Sequence, residues 1–201
     1  SFPTRRSSDL AQQVTLQVND EKEVKPLKEV VESFSSSSAA QLSSKEIDYS
    51  RALLQTETKE VGKQRIQIHR LSIPRGETFK VVLSDGTEVL LNSDSRLSYP
   101  TVFKGKERVV SLEGEAYFNV TKNTEHPFIV KSGNVQVRVL GTEFNMCSYT
   151  PDNVRVTLIE GKVAVSDTCS LQTVEMKPGQ SAQLVSDGTF AVDEVDTETF
   201  L

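Results

Sequence analysis

The sequence has no tryptophan, two cysteines and two histidines among its 201 residues. It has no run of 18 to 20 apolar residues of the length needed to cross a bilayer. Each shortage removes a class of function. Without tryptophan and with only four tyrosines, the flat aromatic platform that carbohydrate-binding modules use is poorly supplied. His69 and His126 stand far apart and no His-x-His pattern occurs, which argues against a metal centre on a β-barrel or jelly roll. Basic clusters go no further than Arg5-Arg6, and the formal charge is −5. Nucleic acid is therefore a poor candidate partner, because binding a phosphate backbone requires a basic face. Cys147 and Cys169 could form one disulfide in an oxidising compartment. They stand 22 positions apart with no supporting pattern, and two separate thiols packed as small hydrophobes is the simpler reading.

What is present is short apolar alternation punctuated by turns. Phe79 to Leu83 and Val89 to Leu91 flank Ser84-Asp85-Gly86-Thr87, and Ala182 to Val185 and Phe190 to Val192 flank Ser186-Asp187-Gly188-Thr189. Asp-Gly between alternating runs is a strong hairpin signal, since glycine accepts positive φ and aspartate bonds its own turn backbone. A similar shape, Val14 to Val18 followed by Asn19-Asp20-Glu21, opens the chain. A second echo links Leu112-Glu113-Gly114-Glu115-Ala116 to Leu158-Ile159-Glu160-Gly161-Lys162. Glycine inside a strand marks a bulge or bend, and a bend lets one strand serve two packed sheets. The pattern predicts an all-β fold, a β-sandwich or jelly-roll-like domain with bent strands, preceded by a less regular N-terminal segment.

Residues 1–10 lack the apolar core of a signal peptide and resemble a translated sequencing-adapter fragment, so they are expected to be non-native and are set aside. Residues 11–64 read as an N-terminal hairpin and a linker containing Ser35-Ser36-Ser37-Ser38. Within them, 45–62 reads equally well as a weak short helix or an extended connector. Residues 65–196 form the expected β domain, and 197–201 the expected start of a truncated C-terminal region.

Few polar residues suit catalysis. Glu113 and Glu115 leave the same face of a predicted strand and could be an acid pair, but a solvated face or a backbone brace is the better account. No Gly-x-Ser-x-Gly elbow, calcium loop or phosphate-binding loop occurs. Arg75 and Arg108 are candidates to brace a carboxylate such as Glu113 or Glu115, or to contact a partner. The expectation is a non-enzyme with no cofactor and no metal, and with Arg75, Arg108, Glu113 and Glu115 as brace or partner-contact residues.

Ile73-Pro74-Arg75-Gly76, Leu91-Asn92, Tyr99-Pro100, Gly114-Glu115-Ala116-Tyr117-Phe118, Pro127-Phe128, Leu140-Gly141-Thr142, Phe144-Asn145 and Lys177-Pro178-Gly179-Gln180 follow one another in an order and spacing that resembles the FecR family, in its Bacteroidetes-type form. The resemblance implies the periplasmic sensor domain of a single-pass inner-membrane anti-sigma regulator. It implies two partners: the N-terminal signalling domain of a TonB-dependent outer-membrane receptor, and an extracytoplasmic-function sigma factor held by a cytoplasmic segment that this chain does not show. It also implies control of iron-chelate or glycan uptake. A carbohydrate-binding or cell-envelope structural β-sandwich is the alternative.

Overall fold

Strand periodicity dominates the structure, a computed structural model that describes residues 12–19, 21–34, 41–51 and 66–200. Its strands are β1 (Thr15–Val18), β2 (Lys25–Pro26), β3 (Gln41–Leu42), β4 (Glu46–Asp48), β5 (Ile68–Ile73), β6 (Phe79–Val82), β7 (Glu88–Leu91), β8 (Ser95–Pro100) and β9 (Arg108–Asn119). They continue as β10 (Phe128–Ser132), β11 (Val135–Val139), β12 (Glu143–Thr150), β13 (Asn153–Glu160), β14 (Val163–Asp167), β15 (Thr173–Met176), β16 (Gln180–Leu184) and β17 (Phe190–Glu194). One short helix, α1 (Leu27–Phe34), lies against β1 and β2. The expected all-β sandwich with bent strands is the observed fold.

The ladders make two sheets that share β9. Sheet A runs β2-β1-β5-β8-β9-β10-β11-β14-β15. Sheet B runs β3-β4-β6-β7-β9-β12-β13-β16-β17. Among the described residues only β9–β10 and β4–β6 are parallel. The inward positions of both sheets form one continuous core. Phe118 of β9 stacks on Phe144 of β12 with centroids 4.9 Å apart, and meets Phe128 of β10 at 6.3 Å. Burying each such ring contributes about 1.5–3 kcal/mol, and together the three rings tie sheet B to sheet A at the crossover strand.

The two Glu-Gly motifs are the corners. In β9, residues 111–113 pair with β8 in sheet A, while 114–119 pair with β12 in sheet B. The change of sheet falls at Gly114, whose φ is +100°. A Cβ there would lie 2.8 Å from the Ser95 Cα and 2.4 Å from its Oγ. Ser95 Oγ accepts the Glu115 N–H at 3.0 Å, closing the corner. Gly161 (φ +95°) does the same job differently: it sits between β13 of sheet B and β14 of sheet A rather than inside one strand. Gly114→Ala combines a disfavoured φ with overlap against backbone, so it should destabilise the fold by about 2 kcal/mol. A urea midpoint unchanged in that variant would refute the corner assignment.

The three hairpin-like segments all form antiparallel pairs: β1–β2, β6–β7 and β16–β17. The N-terminal part has a helix that the sequence reading did not anticipate, while residues 45–51 follow the extended alternative rather than the helical one. Its helix is α1, where Leu27 and Val30 bury one face, and Glu46–Asp48 is strand, parallel to β6. Leu27, Val30, Val31 and Phe34 do follow helical spacing, but over only eight residues, too short a stretch to stand out. The Ser35–Ser38 stretch, residues 1–10 and residues 52–65 lie outside the described residues.

Candidate functional site

Arg108 opens β9 with its side chain turned inward and only 3% of the residue exposed. Its Nη1 donates to Asp85 Oδ2 at 2.7 Å and to the Thr121 carbonyl at 2.8 Å, and its Nε donates to the His126 carbonyl at 2.7 Å. The guanidinium lies 5.3 Å from the Phe128 ring centroid. Asp85 is the aspartate of the first Asp-Gly turn, and its carboxylate also accepts the Thr87 N–H at 2.9 Å and the Thr87 hydroxyl at 2.8 Å. Thr87 Oγ1 in turn accepts the Thr121 N–H at 3.2 Å. One cation thus binds the β6–β7 turn, the start of β9 and the 121–127 loop together. The carboxylate it braces is Asp85 of the first Asp-Gly turn, and neither Glu113 nor Glu115.

 Glu113 and Glu115 have other partners.

Glu113 lies on the outer face and pairs with Arg96 of β8 at 3.2 Å, both side chains exposed. Glu115 accepts the amide of Asn92 at 3.2 Å and that of Asn145 at 3.0 Å. The two glutamates leave the same side of β9 but serve different sheets, one on each side of the Gly114 corner. Arg75 reaches solvent, with 89% of its side chain exposed and Asp94 3.6 Å away. Exposed pairs of this kind contribute about 0–1 kcal/mol. Arg75→Ala should therefore shift the unfolding free energy by less than about 0.5 kcal/mol, checked by urea titration. A larger loss would mean that Arg75 is structural.

One buried polar group has no forerunner in the sequence reading. Tyr49 follows β4 of sheet B, while His69 of β5 and Tyr99 of β8 belong to sheet A. The Tyr49 hydroxyl bonds His69 Nδ1 at 2.8 Å and the Tyr99 hydroxyl at 2.9 Å. Burial pushes both phenols above their usual range, and lowers His69 to about 4 because the charged imidazolium is poorly solvated there. Tyr49 falls in the stretch read as helix or connector, so nothing local pointed to this trio.

The outer faces carry the remaining features. On sheet B, Glu88, Asn119, Glu143 and Glu160 occupy successive strands in one row. Beside them the Tyr117 hydroxyl donates to Glu143 Oε2 at 2.7 Å. Burial raises the Tyr117 pKa, and the hydrogen bond to Glu143 and the charges of Glu143, Glu160 and Glu88 raise it further. On sheet A a groove of about 360 Å³ is lined by Ile68, Pro100, Val102, Phe103, Lys104 and Val109. Cys147 and Cys169 are free thiols, one half-buried on β12 and the other exposed. Among the described residues no group of three or more His, Cys, Asp or Glu side chains has metal-ligating geometry, and no helix is long and apolar enough to cross a membrane.

Residues 69–164 match the family described as FecR protein. Among solved structures, the chain is similar to two crystal structures of candidate anti-sigma factors from Parabacteroides distasonis ATCC 8503. The first has a TM-score of 0.62 at 32% identity over 66% of this chain and 62% of that one. The second has a TM-score of 0.61 at 32% identity over 65% of this chain and 62% of that one. The chain thus spans 62% of the length of each of these structures. Among curated proteins none matches the chain.

Proposed function

From the premise that this chain belongs to the FecR family through residues 69–164, we propose that it is the periplasmic sensor domain of an anti-sigma regulator. In this reading the intact regulator is anchored in the inner membrane. The domain meets the N-terminal signalling domain of a TonB-dependent outer-membrane receptor, and passes the receptor's state to an extracytoplasmic-function sigma factor. The likeness to anti-sigma factor structures at 32% identity is the observation that carries the proposal. The geometry supports a contact mechanism. Arg108 and Asp85 hold a turn and Glu115 bonds Asn145 beside the Gly114 corner, while Glu113 pairs with Arg96 on an exposed sheet face; the sheet faces and edges are the surface a partner can reach.

A module of this kind needs no chemistry. A partner that binds one state of the regulator better than another shifts its equilibrium by that difference in affinity. Control of iron-chelate or glycan uptake follows as the physiological setting of the proposal.

The test is binding of the intact regulator to purified signalling domains of the TonB-dependent receptors encoded beside it. Saturable binding to at least one is expected. Binding to none of them overturns the receptor assignment.

A further inference from the structure

The geometry points to the free side of β17 as a docking edge for an extended partner segment that alternates apolar and basic residues. Among the described residues four strands bound the two sheets, and they differ in what they offer. β2 and β3 are two residues long, and β2 contains Pro26 and is followed directly by α1. β15 spans Thr173–Met176, and β17 spans Phe190–Glu194. Among the described residues, β17 pairs only with β16.

The register of that pairing identifies the open backbone groups. Val185 N–H donates to the Thr189 carbonyl, and Val195 N–H donates to the Gly179 carbonyl. Antiparallel residues alternate in the direction of their backbone groups. Thr189, Ala191, Asp193 and Val195 therefore face β16, while Phe190, Val192 and Glu194 turn their N–H and C=O groups to the open side. An added strand would complete this ladder, the geometry of β-augmentation.

Side chains beside the ladder set the chemistry of the occupant. Val192 pairs with the buried Ala182, yet 38% of it is exposed. Phe190 lies on the same side and is only partly buried against the core. The β14–β15 turn is tied to the β16–β17 turn by Ser170 Oγ, which donates to the Gly188 carbonyl at 2.6 Å. That turn holds Leu171 82% exposed at a φ of +59°, a conformation that costs a large side chain energy and keeps it in solvent. Apolar residues on the incoming strand would cover Val192 and this rim.

Charge settles the rest. From Pro178 to Leu201 the chain carries Asp187, Asp193, Glu194, Asp196 and Glu198, and neither lysine nor arginine. Two copies of β17 pairing edge to edge would place like charges together, which destabilises cross-strand pairs. A basic strand meets complementary charge instead. This inference rests on the reading of the domain as a contact module, and names the surface that module would use.

The test uses the 201-residue chain and a short peptide of alternating lysine and valine, with a glutamate–valine peptide as control, read by amide hydrogen exchange. The lysine peptide should slow exchange at Phe190, Val192 and Glu194 saturably, by about tenfold. Val192→Pro removes the central open N–H at an edge position, where proline is tolerated, and should abolish the effect. Asp193→Lys with Glu194→Lys should transfer it to the glutamate peptide. No saturable slowing at these amides, equal slowing by both peptides, or slowing that persists in Val192→Pro would overturn the proposal. So would concentration-dependent protection of the same amides without peptide, which would mean self-pairing. Receptor binding that survives Val192→Pro would overturn the edge while leaving the receptor reading intact. Loss of receptor binding by the unaltered regulator would have the reverse meaning.

Discussion

Arg108→Ala is expected to lower the unfolding free energy by about 3–5 kcal/mol, the cost of removing one partner from a buried ion pair. Two chain segments lose their common donor in that variant: the Asp85 turn, and the 121–127 loop at its Thr121 and His126 carbonyls. Asp85 keeps its Thr87 bonds but loses its countercharge, with only 15% of its side chain in solvent. Arg108→Lys should recover part of the loss. An ammonium can hold Asp85, but it lacks the planar fork that reaches Thr121 and His126 at once. Equilibrium urea unfolding of the three proteins would decide the matter. A loss below about 1 kcal/mol for Arg108→Ala would be typical of an exposed pair and would refute the bracket.

Acid should weaken the fold through His69. Its folded pKa of about 4 lies below the ordinary value of 6.5, so in this window the unfolded chain takes up a proton that the folded protein refuses. The His69 contribution is therefore fully present above pH 6.5 and drains away as the pH falls towards 4. At about 1.4 kcal/mol per pH unit, the total approaches roughly 3 kcal/mol. Tyr49, Tyr99 and Gln67, which touch the ring, are neutral side chains. Unfolding free energies at pH 7, 6 and 5 should fall by roughly 2 kcal/mol in total in the native sequence. His69→Gln should show a much flatter profile over the same range, where carboxylates remain largely ionised. Parallel profiles for the two proteins would exclude the imidazole as the source.

Both effects lie where sequence reasoning stopped. Arg108 was legible as a brace candidate because it stands in Gly105-Lys106-Glu107-Arg108 before a strand and can pair bidentately with a carboxylate. Which carboxylate was not legible. Asp85 is 23 positions upstream, and the pairing depends on how β6–β7 is laid beside β9. The Tyr49, His69 and Tyr99 side chains come from positions 20 and 50 residues apart, and they meet only because the end of sheet B closes over sheet A. Glu113 and Glu115 looked equivalent along the strand; the change of sheet between them assigns one to Arg96 and the other to two asparagine amides.

By itself the sequence determined the features that depend on a few neighbouring residues. Asp-Gly set the hairpins, Glu-Gly set the corners, and apolar alternation set the inward face of each strand, because positive φ and a period of two are properties of the local backbone. Only the tertiary structure decided which strands are neighbours, which outer positions share a row, and which edge stays open. Those depend on register between segments far apart in the chain, and one residue of slip would exchange every inward and outward side chain.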